Sequence, residues 1–264
     1  MIRVGVFDSG IGGLSVVQYL LSGEDSLHIE YYADSKHIPY GDKSPEFIKD
    51  RSEKICSFLY SKHVECIIVA CNTATAIAID SLRNRFKLRF IGIEPGIKPA
   101  LKKTKTNAIA ILATHNTIRS ARFKKLIDEN NAEQKYNFYL RAGNGLVEQV
   151  EKFQLDDLQL LHGHLDSCLI NNVDTLVLGC THYSYLKNEI NNYLHSNGKK
   201  ISIIDSSEAV GRHAIGLLSN YPHQQPKKKG IYSLSLSTTG EIEPLIKASE
   251  YLGLLFESAL SIAD

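Results

Sequence analysis

The sequence predicts an α/β fold, built as two similar doubly wound parallel-sheet domains related by a pseudo-two-fold axis, with a cleft between them. Three observations carry this. Short β-branched runs alternate along the chain with longer stretches of helical period. Parallel neighbours need crossovers, and right-handed ones dominate, so strand, helix, strand repeated means a parallel sheet covered by helices. The 264 residues exceed one typical domain of about 100–150 residues. Finally, "VECIIVACNT" (64–73) aligns with "VDTLVLGCTH" (173–182), placing Cys71 opposite Cys180 at an offset of 180 minus 71, or 109, residues.

The elements follow in order. "IRVGVF" (2–7) is a strand that leads through "SGIGG" into a helix over 13–22. "HIEYYA" (28–33) precedes a helix over 44–61, "ECIIVA" (65–70) a helix over 73–85, and "LRFIGI" (88–93) closes the first half. "GIEPGIKPA" (92–100), with two prolines and two glycines, reads as the crossing between halves. The second half repeats the alternation: "NAIAIL" (107–112), a helix over 117–130, "YNFYLR" (136–141), a helix over 155–171, "VDTLVL" (173–178), a helix over 183–195, "KISIID" (200–205) and a helix over 206–219. The opening "VGVFDSGIGG" matches "IAILATHNT" less closely, at about the same offset.

Composition excludes several classes. Thirty basic against 29 acidic residues give a net charge of +1, which offers no polyanion-binding signal, and the short "PKKKG" at 226–230 reads as a solvated loop. Nucleic acid is therefore not expected as a partner. No stretch approaches the roughly 20 apolar residues of a membrane span, and "MIRVGVFDSG" enters a strand without a signal-peptide layout. A cytoplasmic protein with no membrane partner is the expectation. Five cysteines (Cys56, Cys66, Cys71, Cys168 and Cys180), odd in number and without a C-x-x-C pair, argue for reduced thiols rather than a disulfide framework.

Free cysteine is usually a small buried hydrophobe, which serves for Cys56, Cys66 and Cys168. Cys71 and Cys180 stand apart because open α/β sheets bind ligands beyond the carboxyl ends of their strands, where both fall. "NTAT" and "THY" after them form turns into helices, and a helix start lowers a thiol's pKa. Two like acid/base groups facing each other suit inversion of a stereocentre, one removing a proton as the other delivers one to the opposite face. Hydrolysis would want a nucleophile elbow, and no G-x-S-x-G is present. Zinc on Cys71, Cys180, His182 and Cys66 is the rival chemistry. Cys66 and Cys71, five apart across a strand, point to opposite faces, so no metal is expected. The "SGIGG" glycines do not match G-x-G-x-x-G, which leaves a phosphate-binding turn as a lesser alternative.

"FDSGIGGLSV" (7–16), "PYG" (39–41), "ACNTATA" (70–76) and "GCTHY" (179–183) together resemble the cofactor-independent glutamate racemases of bacterial cell-wall synthesis. The resemblance implies two domains, 1–97 with 207–264 and 98–206, and interconversion of L- and D-glutamate without pyridoxal phosphate, metal or nucleotide. It also implies a homodimer. Carried over by residue, it makes Cys71 the base acting on D-glutamate and Cys180 the base acting on L-glutamate, with Asp8 beside Cys71 and His182 and Glu148 assisting Cys180. Ser9, Tyr40, Gly41, Asn72, Thr73, Thr114, Thr117, Thr181, Asp8 and His182 are the implied substrate contacts. The chain departs from the family pattern around "RAGNGLVEQVE", where Glu148 and Glu151 compete for one role. It departs again at Asn116, where glycine is expected, and at Arg122-Phe123, near an expected tyrosine. A racemase of another acidic amino acid, a one-cysteine decarboxylase, and a non-catalytic binding protein on the same fold are the alternatives. The last would not need both cysteines.

Overall fold

The structure, a computed structural model, describes residues 1–23, 26–166, 172–218 and 232–262. Its two sheets repeat one strand order. β1 (Ile2–Asp8) lies between β2 (Leu27–Ala33) and β3 (Cys66–Val69), with β4 (Arg89–Gly92) outside β3, all parallel. β5 (Ala108–Ala113) lies in the same way between β6 (Asn137–Ala142) and β7 (Thr175–Gly179), with β8 (Ser202–Asp205) outside β7. The orders β2-β1-β3-β4 and β6-β5-β7-β8 make β3 and β7 equivalent strands, and Cys71 and Cys180 follow them. Near the C-terminus, β9 (Tyr232–Thr238) and β10 (Ser258–Ser261) extend the first sheet beyond β2. The central strands β1, β3, β5 and β7 are buried almost throughout, as their unbroken apolar runs require with helices on both faces.

The helices are α1 (Leu14–Leu21), α2 (Pro45–Ser61), α3 (Asn72–Arg85), α4 (Ile97–Lys103), α5 (His115–Arg119), α6 (Ala121–Asn130), α7 (Leu146–Glu151), α8 (Gln159–Asp166), α9 (Lys187–Ser196), α10 (Ser206–Leu218) and α11 (Glu243–Tyr251). Ser44 and Pro45 set the start of α2, the serine Oγ accepting from Phe47 N–H at 3.2 Å. The single helix expected over 117–130 is two. Ser120, in extended geometry, ends α5 and caps α6 by accepting from Phe123 N–H at 3.0 Å. The crossing at 92–100 carries α4 rather than loop alone, Pro99 being tolerated in its first turn. After Cys180 the chain makes a 3₁₀ turn, Thr181–Leu186, before α9 begins. Cys168, the end of the helix expected over 155–171 and the 226–230 loop lie outside the described residues. Among the described residues no helix is long and apolar enough to cross a membrane.

Behind the loop that follows β2 sits a buried ionic network. Asp34 accepts from Arg51 Nη2 at 2.7 Å and Nε at 3.0 Å, from the Tyr40 hydroxyl at 2.6 Å and from Thr239 Oγ1 at 3.0 Å, with His37 Nδ1 at 3.0 Å. Burial alone would push the Asp34 carboxyl up. The bonds from Arg51, Tyr40 and His37 outweigh it and hold the group below the usual carboxylate range. A depressed folded pKa stabilises the fold above the unfolded value and loses that contribution as pH falls through the folded one. Asp34→Ala strands the buried Arg51 and is expected to cost about 3–5 kcal/mol at pH 7 in urea unfolding. The gap to the wild type should narrow below about pH 4, as the wild-type carboxyl protonates.

Candidate active site

The first strand-end cluster is built on β1 and β3. Asp8, fully buried, accepts from Gly10 N–H at 2.9 Å, which turns the chain into the glycine loop ahead of α1. Cys71 is the N-cap of α3 and accepts from Ala74 N–H at 3.4 Å, while its thiol reaches Ser9 Oγ at 3.8 Å. The expectation of a lowered Cys71 pKa fails. Burial pushes the thiol up, the Asp8 and Cys180 charges add to that, and the Ala74 and Ser9 contacts only partly offset them, leaving Cys71 pushed up to about 12. Asp8 is itself raised, chiefly by burial.

The second cluster follows β7. Cys180 Sγ lies 3.8 Å from His182 Nδ1, and His182 Nε2 is 2.6 Å from Glu151 Oε1. Burial opposes a charge on His182, but its contacts with Cys180 and Glu151 win and raise its pKa well above the ordinary value. The carboxylate that meets His182 is Glu151, not Glu148. Both sit on α7, three residues apart, and the helix turns Glu151 inward to His182 while Glu148 lines the cavity at the edge of the site. Glu151 Oε1 also accepts from Ile11 N–H at 2.7 Å. The glycine loop therefore already spends this donor on a protein carboxylate, which answers the phosphate-turn alternative. Thr181 Oγ1 donates to Asp8 at 3.1 Å, so the two clusters touch directly.

Around them the remaining residues close the cleft. Thr73 Oγ1 lies 2.9 Å from Thr114 Oγ1, and Thr114 donates to Thr117 Oγ1 at 2.8 Å, so three hydroxyls from both halves meet. Asn72 is buried with neither its amide nitrogen nor its amide oxygen hydrogen-bonded. Such a group is costly unless a ligand or an ordered water meets it. Tyr40 is buried in the same apolar cluster as Cys71, and Gly41 leaves only 3.3 Å between an added Cβ and Thr114. A cavity of about 420 Å³ lies at this edge, lined by Gly41, Asp42, Thr114, His115, Gly143 and Glu148. Cys66 is in the core, and no group of three or more His, Cys, Asp or Glu side chains among the described residues is arranged to hold a metal ion.

Sequence reasoning missed two tyrosines. Tyr31 donates to Gly10 O at 2.7 Å and Tyr185 to Ile11 O at 3.1 Å, so they fix the loop between the clusters. On a strand face and in a turn, nothing local distinguished them from ordinary aromatic packing.

A family model described as Asp/Glu/Hydantoin racemase matches residues 15–214. The glutamate racemase of Ralstonia pickettii (strain 12J) is 41% identical over 213 residues, 80% of this chain and 74% of its own length. Among solved structures, a glutamate racemase isoform of Bacillus anthracis matches with a TM-score of 0.86 at 27% identity, covering 99% of this chain and 98% of that one. The Francisella tularensis glutamate racemase, in complex with D-glutamate, matches at 0.82 and 26% identity, covering 99% and 97%. Fold and matches together define the class, an α/β amino-acid racemase. The chain belongs to the Asp/Glu/Hydantoin racemase family, and within it to the glutamate racemases.

The environment of Cys71 makes a direct forecast. With the thiol held near 12, alkylation of Cys71 by iodoacetamide, read by peptide mapping, should climb about tenfold per pH unit up to about pH 10. An ordinary thiol levels off near its pKa of about 8.5, and a plateau there would contradict the buried, Asp8-facing site.

Proposed function

We propose that this protein interconverts L- and D-glutamate by proton transfer between two opposed thiols and supplies D-glutamate for peptidoglycan synthesis. One observation carries the reading: Cys71 and Cys180 follow equivalent strands of two sheets with the same strand order, and each lies within electrostatic reach of the other. With L-glutamate bound, the Cys180 thiolate removes the α-proton from one face, and the electron pair left on carbon takes a proton from the Cys71 thiol on the other face. Cys180 ends as the thiol and Cys71 as the thiolate, and the reverse reaction exchanges the roles. Asp8 attends Cys71, and His182, oriented by Glu151, attends Cys180. The unpaired amide of Asn72, with Ser9, Tyr40, Gly41, Thr73, Thr114, Thr117 and Thr181, receives the substrate's polar groups. No pyridoxal phosphate, metal or nucleotide takes part. A decarboxylase would need one thiol, and nothing in the site favours that over the pair.

The same reading divides the chain into 1–97 with 207–264 and 98–206, supported by the pairing of β9 with β2. It makes the protein cytoplasmic and without nucleic-acid or membrane partners, in keeping with its balanced charge. It also makes the protein a homodimer, for which the exposed Leu255 and Leu260 near edge strand β10 leave apolar surface.

With L-glutamate in deuterated water, D-glutamate should carry solvent deuterium from its first appearance while remaining L-glutamate stays largely unlabelled. Cys71→Ala and Cys180→Ala should each lower racemisation by at least about 10²- to 10⁴-fold and keep the wild-type circular dichroism. Near wild-type racemisation by either variant would refute the two-thiol mechanism. The two glutamates of α7 should also separate. Glu151→Gln is expected to reduce kcat by roughly 10- to 100-fold, the usual effect of removing the partner that orients a working histidine. Glu148→Gln should leave kcat within about twofold, since Glu148 has no contact with His182.

A further inference from the structure

We propose that Asn116 is a positioning residue that latches the two halves over the thiol site, so that its release governs access to Cys71 and Cys180. Both thiols are almost fully buried, Cys71 at 5% and Cys180 at 6% exposure, so a ligand reaches them only when the halves part. Asn116 stands on α5 of the second half, beside the 420 Å³ cavity at the edge of the closed site. Its Nδ2 donates to Tyr40 O and to Lys43 O, both at 3.0 Å, across to the first half. Carbonyl oxygens only accept, so the side-chain amide must present its nitrogen here. The glycine expected at this position would carry neither donor.

The turn that Asn116 grips is not free to follow it. Tyr40 is tied by its hydroxyl to Asp34, which Arg51 holds through two bonds, and Lys43 N–H donates to Tyr40 O at 3.3 Å. Gly41, inside the gripped turn, packs against Thr114, two residues ahead of Asn116. Opening at the cavity therefore breaks the two Asn116 bonds rather than bending the Tyr40 turn. Two neutral hydrogen bonds bias such an equilibrium by roughly five- to a hundredfold.

The inference rests on the proposed thiol site but not on its chemistry, and the test reads thiols without substrate. Wild type, Asn116→Ala and Asn116→Asp are alkylated with iodoacetamide at one pH, and the rate at each cysteine is followed by peptide mapping. Asn116→Ala removes both donors, and Asn116→Asp turns a carboxylate toward two carbonyls. Both variants should raise the rates at Cys71 and Cys180 by roughly five- to a hundredfold, the aspartate more. Rates at Cys56 and Cys66, both wholly buried in the core, should not change. Unchanged rates at Cys71 and Cys180 in both variants overturn the latch. So does a rise shared equally by Cys56 and Cys66, which marks general loosening. Failure of racemisation by the wild type, with these rates as expected, would count against the proposed function alone.

Discussion

The close approach of the Gly10–Gly13 loop to the turn after Cys180 is the constraint on which the site depends. A Cβ at Gly10 would collide with the Glu151 carboxylate, with Cδ at 2.8 Å, and one at Gly12 would collide with the His182 ring and reach Thr181 Oγ1 at 2.7 Å. At Gly13 it would meet Asp8 Cβ at 2.7 Å. Side chains at Gly10 and Gly12 would push the halves apart and break the Thr181–Asp8 and Ile11–Glu151 hydrogen bonds that join the clusters, while one at Gly13 would crowd Asp8, Tyr31 and Ala70 within the first half. All three residues have unexceptional backbone angles, so the need for glycine here is room and not left-handed geometry.

Held that closely, the two thiols are not equivalent. Cys71 faces a buried carboxyl, and Cys180 faces an imidazole whose contacts with Cys180 and Glu151 raise its pKa. Ionising a thiol with a pKa of about 12 at pH 7 costs about 7 kcal/mol, so the resting site keeps Cys71 as the acid. On the proposed mechanism a protonated Cys71 suits delivery of a proton by Cys71 to the face opposite Cys180. The opposite direction needs the field at Cys71 to change when substrate binds, and a substrate ammonium brought near Asp8 supplies a charge of the right sign. The low intrinsic reactivity of Cys71 also guards it against oxidants and electrophiles, since the thiolate is the vulnerable form.

Rigid anchors on both sides make this closeness durable. Asp34 and Arg51 pin the Tyr40 turn, while Ser15 Oγ, bonded to Gly12 O at 2.7 Å and Ser207 Oγ at 2.8 Å, ties the glycine loop to the start of α10. Ser184 Oγ joins the same group, 3.1 Å from Ser207 Oγ and donating to Asp205 at 2.9 Å. The start of α10 is thus fastened both to the glycine loop and to the turn after Cys180.

The sequence alone determined the α/β class, the repeat and the places of Cys71 and Cys180, because hydrophobic period and strand ends are local and recur every few residues. It also set the starts of α1, α2, α3 and α10 to within one residue, since a cap such as Ser44 with Pro45 acts within one turn, and it missed those of α4, α6, α7 and α11. It did not separate helix α5 from α6 at Ser120, where a serine looks the same inside a helix as at its cap. Tertiary structure decided which glutamate of α7 faces His182, because Glu148 and Glu151 differ by 300° around the helix at 100° per residue and only packing selects the inward direction. It decided the sign of the Cys71 shift as well. A helix start acts locally and lowers a thiol's pKa, but burial beneath β1 and the carboxyl of Asp8 come from residues sixty positions away and outweigh it. What Asn116 touches is likewise invisible in one dimension, since its partners Tyr40 and Lys43 belong to the other half and meet it only when the two sheets close.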